Sequence, residues 1–65
     1  MDQVRRMKEI RVRWRRGEFD DEGREITGSL WHPDTPINRE IARRVVLAGE
    51  EVYGSGSHWI EERVA

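Results

Sequence analysis

Two groups of side chains in this 65-residue chain have the type and spacing for binding chemistry. Within the segment GEFDDEG, residues 17–23, stand Glu18, Asp20, Asp21 and Glu22. Together with Glu25, and with Glu50, Glu51, Glu61 and Glu62 farther on, they supply carboxylates along a small surface. Such a surface can imitate nucleic-acid phosphates and occupy the basic channel of another protein, where complementary charge gives fast association and partner choice, and it also suits a plain solvated turn. Within KEIRVRWRR, residues 8–16, the arginines Arg11, Arg13, Arg15 and Arg16 form a row of the opposite sign. That row suits the neutralisation of a phosphate backbone, with salt-sensitive affinity. It suits equally a solvated strand face whose charge is absorbed by cross-strand partners such as Glu25 and Glu61.

Of the three tryptophans, Trp14 falls on the apolar side of its strand and is expected in the core. Trp31 closes the next strand and fits either face. Trp59 is the candidate anchor: with Ile60 and Val64 turned toward a helix, it faces solvent among arginines and glutamates, the composition of a binding hot spot. The opposite register would bury it. His32 and His58 have no thiolate and no third imidazole beside them, and the spacing H-E-x-x-H is absent, so no metal is expected. The calcium-loop pattern D-x-D-x-D-G is absent as well. Ser55 and Ser57 lie in a glycine turn without the G-x-S-x-G context, and Gly54-x-Gly56 lacks the third glycine and following helix of a nucleotide loop. A chain this short has little room for a water-excluding pocket. Neither catalysis nor a cofactor is expected.

The elements that must position these residues follow from periodicity. Residues 8–16 alternate, with Ile10, Val12 and Trp14 on one side and Arg11, Arg13 and Arg15 on the other, which predicts a half-buried strand. Residues 17–23 read as an acid-rich turn bracketed by glycines, with Phe19 its one apolar residue. Residues 24–31 alternate again, Ile26 and Leu30 against Glu25, Thr27 and Ser29, and Gly28 marks a bulge or a close approach. The two strands form an antiparallel hairpin. His32-Pro33-Asp34 then breaks the sheet. Thr35 is a good N-cap, Pro36 suits the first helical position, and Gly49 suits the residue after a helix. Between them Ile37, Ile41, Val45 and Ala48 make an apolar stripe, widened by Ala42 and Val46, that is expected to pack on the sheet. Glu40 and Arg44 are spaced for an ion pair. Residues 50–53 read as a short strand, residues 54–57 as a flexible turn, and residues 59–64 as the last strand. The expected fold class is α+β: a small antiparallel β-sheet of order β-β-α-β-β, with one helix packed on one face and the other face open.

Sixty-five residues make a single domain with a thin margin of stability, which dimerisation would enlarge. Residues 1–7 read as a frayed lead-in. Met7-Lys8-Glu9-Ile10 would itself make a plausible start, so residues 1–6 need not be native. There are no cysteines, hence no disulfide or thiolate site. No run approaches a membrane span or a signal-peptide core, and a soluble, cytoplasmic protein is expected. The net charge of −1 conceals a polarity: residues 1–16 carry seven basic and two acidic groups, residues 17–65 five basic and eleven acidic. Such a division bears on partners rather than on fold.

In its layout the whole chain resembles the small phage- or mobile-element-encoded inhibitors of bacterial defence, in particular the anti-CRISPR proteins. The shared features are a very short cysteine-free chain, a small antiparallel sheet with one helix, and acidic turns. The resemblance implies a non-enzymatic inhibitor in a bacterial host cell that binds a nucleoprotein effector, such as a CRISPR effector subunit, often by an acidic surface occupying a DNA-binding site. The candidate protein-binding residues are then Glu18, Asp20, Asp21, Glu22, Glu25, Trp59 and Glu61. The arginine-rich first strand departs from a purely acidic mimic. The alternative is a small nucleic-acid-binding protein using Arg11, Arg13, Arg15 and Arg16. A third reading is an accessory dimer paired through exposed sheet edges.

Overall fold

A computed structural model describes residues 7–65, apart from the side chains of Arg16 and Glu18. It has one helix and a four-stranded antiparallel sheet, an α+β arrangement. In chain order the elements are β1 (Lys8–Phe19), β2 (Glu25–Gly28), β3 (His32–Pro33), α1 (Pro36–Tyr53) and β4 (His58–Val64). The expected frayed segment, residues 1–6, lies outside the described residues.

β1 is the central strand. β4 runs along one side of it, with Lys8 opposite Val64 and Trp14 opposite His58. The other side is shared: β3 pairs with the start of β1 at Glu9 and Ile10, and β2 with its latter part, from Arg13 to Phe19. A register shift separates the Arg13–Gly28 pair from the Glu18–Ile26 pair. The indole N–H of Trp14 reaches across this irregularity and donates to the Ile26 carbonyl at 2.9 Å. β1 is longer than its alternation suggested. It continues through Gly17 to Phe19, so the turn shrinks to residues 20–23.

The predicted alternation of β1 holds. Ile10 is 1% exposed and Val12 4%, both against the helix side, with Trp14 and Ile60 half-buried beside them. The helix contributes Ala42, 7% exposed, and the half-buried Val46. His32-Pro33 does not only break the chain. It makes a two-residue edge pairing, an arrangement that tolerates a proline because the missing N–H faces away from the ladder. The Asp34 N–H then donates to the Lys8 carbonyl at 2.9 Å and turns the chain into α1.

α1 begins as its sequence predicts. Thr35 is extended, at φ −116° and ψ 159°, and its hydroxyl accepts the Asn38 N–H at 3.1 Å ahead of Pro36. Its end differs. Gly49 does not stop the helix, which runs to Tyr53 and absorbs the strand expected at residues 50–53. Termination falls instead at Gly54, whose φ of 102° a residue with a side chain rarely adopts and whose N–H bonds back to the Glu50 carbonyl at 2.8 Å. The fourth strand therefore precedes the helix, as β3. Gly49 is small for another reason: a Cβ there would lie 2.5 Å from the ring of His58 on β4. The His58 ring is stacked on Tyr53 and tilted against Trp14.

The apolar stripe of the helix also departs from expectation. Ile41 is 56% exposed, and Ile37, Val45 and Ala48 are exposed with it. The face on the sheet is instead the one carrying Ala42, Val46 and Gly49. The small residues Ala42 and Gly49 admit a close approach to the sheet on that face, and an ion network accompanies it. Arg39 binds Asp34 at 2.8 Å and Glu62 at 2.6 Å, and Lys8 reaches the same Glu62 at 3.2 Å. Glu40 meets Arg43 at 3.9 Å rather than the Arg44 partner that its spacing suggested.

Candidate functional site

On the sheet face away from α1, the β1–β4 register sets Glu9 opposite Arg63, Arg11 opposite Glu61, and Arg13 opposite Trp59. Each pair becomes a contact. Arg63 donates through Nε to Glu9 at 2.8 Å. Glu61 accepts from Arg11 Nε at 2.6 Å and from Arg13 Nη1 at 3.2 Å. The hydrogen bond from Arg11, foremost, holds the Glu61 carboxyl below the ordinary carboxylate range. Arg13 also donates to the Thr27 carbonyl at 3.1 Å, which ties the row to β2.

Two tryptophans frame this lattice. Trp31, in the link between β2 and β3, lies under two guanidinium groups, with Arg11 Cζ 4.5 Å and Arg63 Cζ 4.2 Å from its ring centroid. Trp59 stands on the same face, 40% exposed, with Arg13 Cζ 5.9 Å from its centroid. Cation–π stacking and ion pairing therefore converge on the same arginines, whose side chains are ordered before any partner arrives. Around the two tryptophans the guanidinium groups of Arg11, Arg13 and Arg63 are set against the carboxylates of Glu61 and Glu9, with Arg15 exposed farther along β1.

The acidic turn is built differently. Asp20 Oδ1 accepts the backbone N–H groups of Glu22 and Arg24, each at 2.9 Å, and Oδ2 accepts Arg24 Nε at 3.1 Å. Those bonds, the Arg24 N–H first, draw its pKa below the ordinary value. Glu22 takes the other side of Arg24 at 3.2 Å. Asp20 is thus a turn-forming residue. Asp21 and Glu22 are exposed, as is Glu25 at the start of β2.

The structure brings Arg11, Arg13, Trp59 and Glu61 into one surface. It does not bring Asp20, Asp21 and Glu22 to that surface: Asp20 lies nine residues beyond Arg11 along an extended strand, up to roughly 30 Å away. Arg15 is exposed near the Gly54–Ser57 turn, where its backbone N–H bonds to the Ser57 carbonyl. Arg63, Glu9 and Trp31 join Arg11, Arg13, Trp59 and Glu61 on the open face. Arg63 and Glu9 were legible from alternation, since they share parity with Glu61 and Arg11. Trp31 was not, because its place depends on the two-residue pairing of β3.

The histidines lie apart from this face. His58 sits on the helix side with its Nδ1 2.8 Å from Ser57 Oγ, and its ring is enclosed by Gly49, Tyr53 and Trp14. That contact joins sequence neighbours and has no third group to orient it. Among the described residues no three His, Asp or Glu side chains are grouped to hold a metal ion, and no helix is long and apolar enough to cross a membrane. No protein-family model, no curated protein and no solved structure matches the chain.

Proposed function

We propose that this chain is a non-enzymatic protein-binding module, and that its contact surface is the open β1–β4 face with Trp59 as the anchor. The observation that carries the reading is an exposed indole on a paired strand, flanked by arginines already held by Glu61, Glu9 and Trp31. Tryptophan and arginine dominate the energetics of protein interfaces, and side chains that are already ordered lose little entropy on binding. The same ion pairs weigh against the nucleic-acid reading. A phosphate backbone would have to displace Glu61 from both Arg11 and Arg13 before gaining their charge.

The partner class we propose is a subunit of a bacterial nucleoprotein effector, bound in the host cytoplasm by an inhibitor of anti-CRISPR type. Chain size and layout support that class. The exposed Asp21, Glu22 and Glu25 would add a second, acidic contact at the far end of β1, reaching a basic DNA-binding surface of the same partner. Affinity capture from bacterial lysate by the wild type, Trp59→Ala and Asp21→Lys/Glu22→Lys tests the reading, alongside electrophoretic binding to short DNA and RNA at two salt concentrations. The expected result is a defined protein retained by the wild type and lost with Trp59→Ala. Salt-sensitive nucleic-acid binding that Arg15→Glu abolishes, with identical proteins captured by all variants, would sink it.

A further inference from the structure

The apolar stripe that fails to meet the sheet has a heptad spacing of its own. Ile41, Val45, Ala48 and Val52 are separated by four, three and four residues, the seam of a helix pair. At about 100° per residue the stripe is centred about 90° around the helix from Ala42, the residue buried against the sheet. All four side chains are exposed. Beside them runs an apolar groove of about 230 Å³, walled by Ile41, Ala42 and Val45 of α1 and floored by Ile10, Val12 and Trp14 of β1. The fully buried core of the chain, among the described residues, is limited to Ile10, Val12 and Ala42. The Cα radius of gyration is 14.0 Å, against roughly 11 Å for a compact chain of this length. With no cysteine to staple it, a fold with so small a core needs further burial.

We infer that the occupant of this face is a second copy of the chain, docked by antiparallel pairing of the two α1 helices. Charge on the stripe's flank selects that occupant and that direction. Arg44 and Glu51 are seven residues apart, each immediately before a seam residue, Val45 and Val52. They lie on the same side of the stripe and have opposite signs. Among the described residues neither belongs to an ion pair. In an antiparallel pair with Val45 facing Ala48 of the second copy, and Ile41 facing its Val52, Arg44 meets Glu51 of the other chain. The two-fold axis repeats that contact. A parallel pair would set Arg44 across the seam from Gly49 of the second copy, so that Arg44 and Glu51 would not meet. This interface is on the side opposite Trp59, so it leaves the proposed partner surface free and does not depend on it.

Sedimentation equilibrium of the full chain, from low micromolar to submillimolar concentration, tests the inference. The expected mass is that of a dimer. Arg44→Glu and Glu51→Arg are each expected to weaken it at least about tenfold, and the double exchange to restore it. Both positions are exposed, and far-ultraviolet circular dichroism checks that each variant is folded. Trp59→Ala is expected to leave the dimer intact. A monomer at every concentration would overturn the inference. So would a dimer indifferent to both single reversals, as pairing through the β4 edge would give, or single reversals that the double exchange does not rescue.

Discussion

Glu61 decides the electrical character of the open face. One carboxylate holds two guanidinium groups, at 2.6 and 3.2 Å, while Arg11 also lies over Trp31 and Arg13 near Trp59. Replacing it with glutamine removes the countercharge and leaves both arginines in place. Glu61→Gln is therefore expected to gain weak, salt-sensitive binding to DNA at low ionic strength, relative to the wild type, in an electrophoretic shift assay. Unchanged behaviour would mean that Glu61 does not control the potential of this face. Asp20 plays the corresponding part in the turn, where it serves the backbone of Glu22 and Arg24. Charge substitutions that probe the acidic patch therefore belong at Asp21 and Glu22, and those that probe cationic binding belong at Arg15.

At the scale of elements, the contact of α1 with β4 turns on Gly49. An alanine inside a helix is worth about 1 kcal/mol over glycine. Here the added methyl would meet the His58 ring at 2.5 Å, and that ring is hemmed in by Tyr53, Trp14 and Ser57. Overpacking of this kind costs about 1–3 kcal/mol, so the clash outweighs the propensity. Gly49→Ala is expected to lower stability in urea by roughly 1 kcal/mol, the difference between those terms. In a His58→Ala background the clash is gone, and the same change is expected to stabilise. Urea titration followed by tryptophan fluorescence reads both. A stabilised single variant would show that the helix is free to move off β4.

Across the whole molecule, four carboxylates in three places have pKa values drawn below the ordinary 3.8 of Asp or 4.5 of Glu: Asp20, Asp34, Glu61 and Glu62. Hydrogen bonds are the first cause in each case, from the Arg24 backbone N–H to Asp20, from Arg39 to Asp34 and Glu62, and from Arg11 to Glu61. Around pH 4 the unfolded chain thus binds more protons than the folded one, and stability rises with pH through that window. The contribution is complete above the unfolded values, and is lost as pH falls through and below the folded ones. Thermal unfolding is expected to be nearly flat from pH 6 to 8 and to weaken progressively below about pH 4.5. A midpoint unchanged down to pH 3 would show that these pairs add nothing to the fold.

The local pattern of residues determined what depends on neighbours in the chain. The face of Ile10 and Val12 follows from an alternation with period two, and the helix start at Thr35-Pro36 from capping chemistry. The α+β class follows from the mixture of the two periods. Tertiary structure decided what depends on residues far apart. Gly49 carries the same local signal as Gly54. Only the approach of His58, nine residues on, shows that one glycine makes room for a ring and the other ends the helix. The stripe of Ile37, Ile41, Val45 and Ala48 was legible as amphipathic, but its direction and its continuation to Val52 were not. In the observed rotation of α1, Gly49 meets His58 and Arg39 reaches Asp34 and Glu62, and Glu62 is 23 residues away from Arg39 in the chain. The open face has the same origin. Its arginines were visible in β1, whereas their partners arrive from β4 and from Trp31 through pairings that no local period encodes.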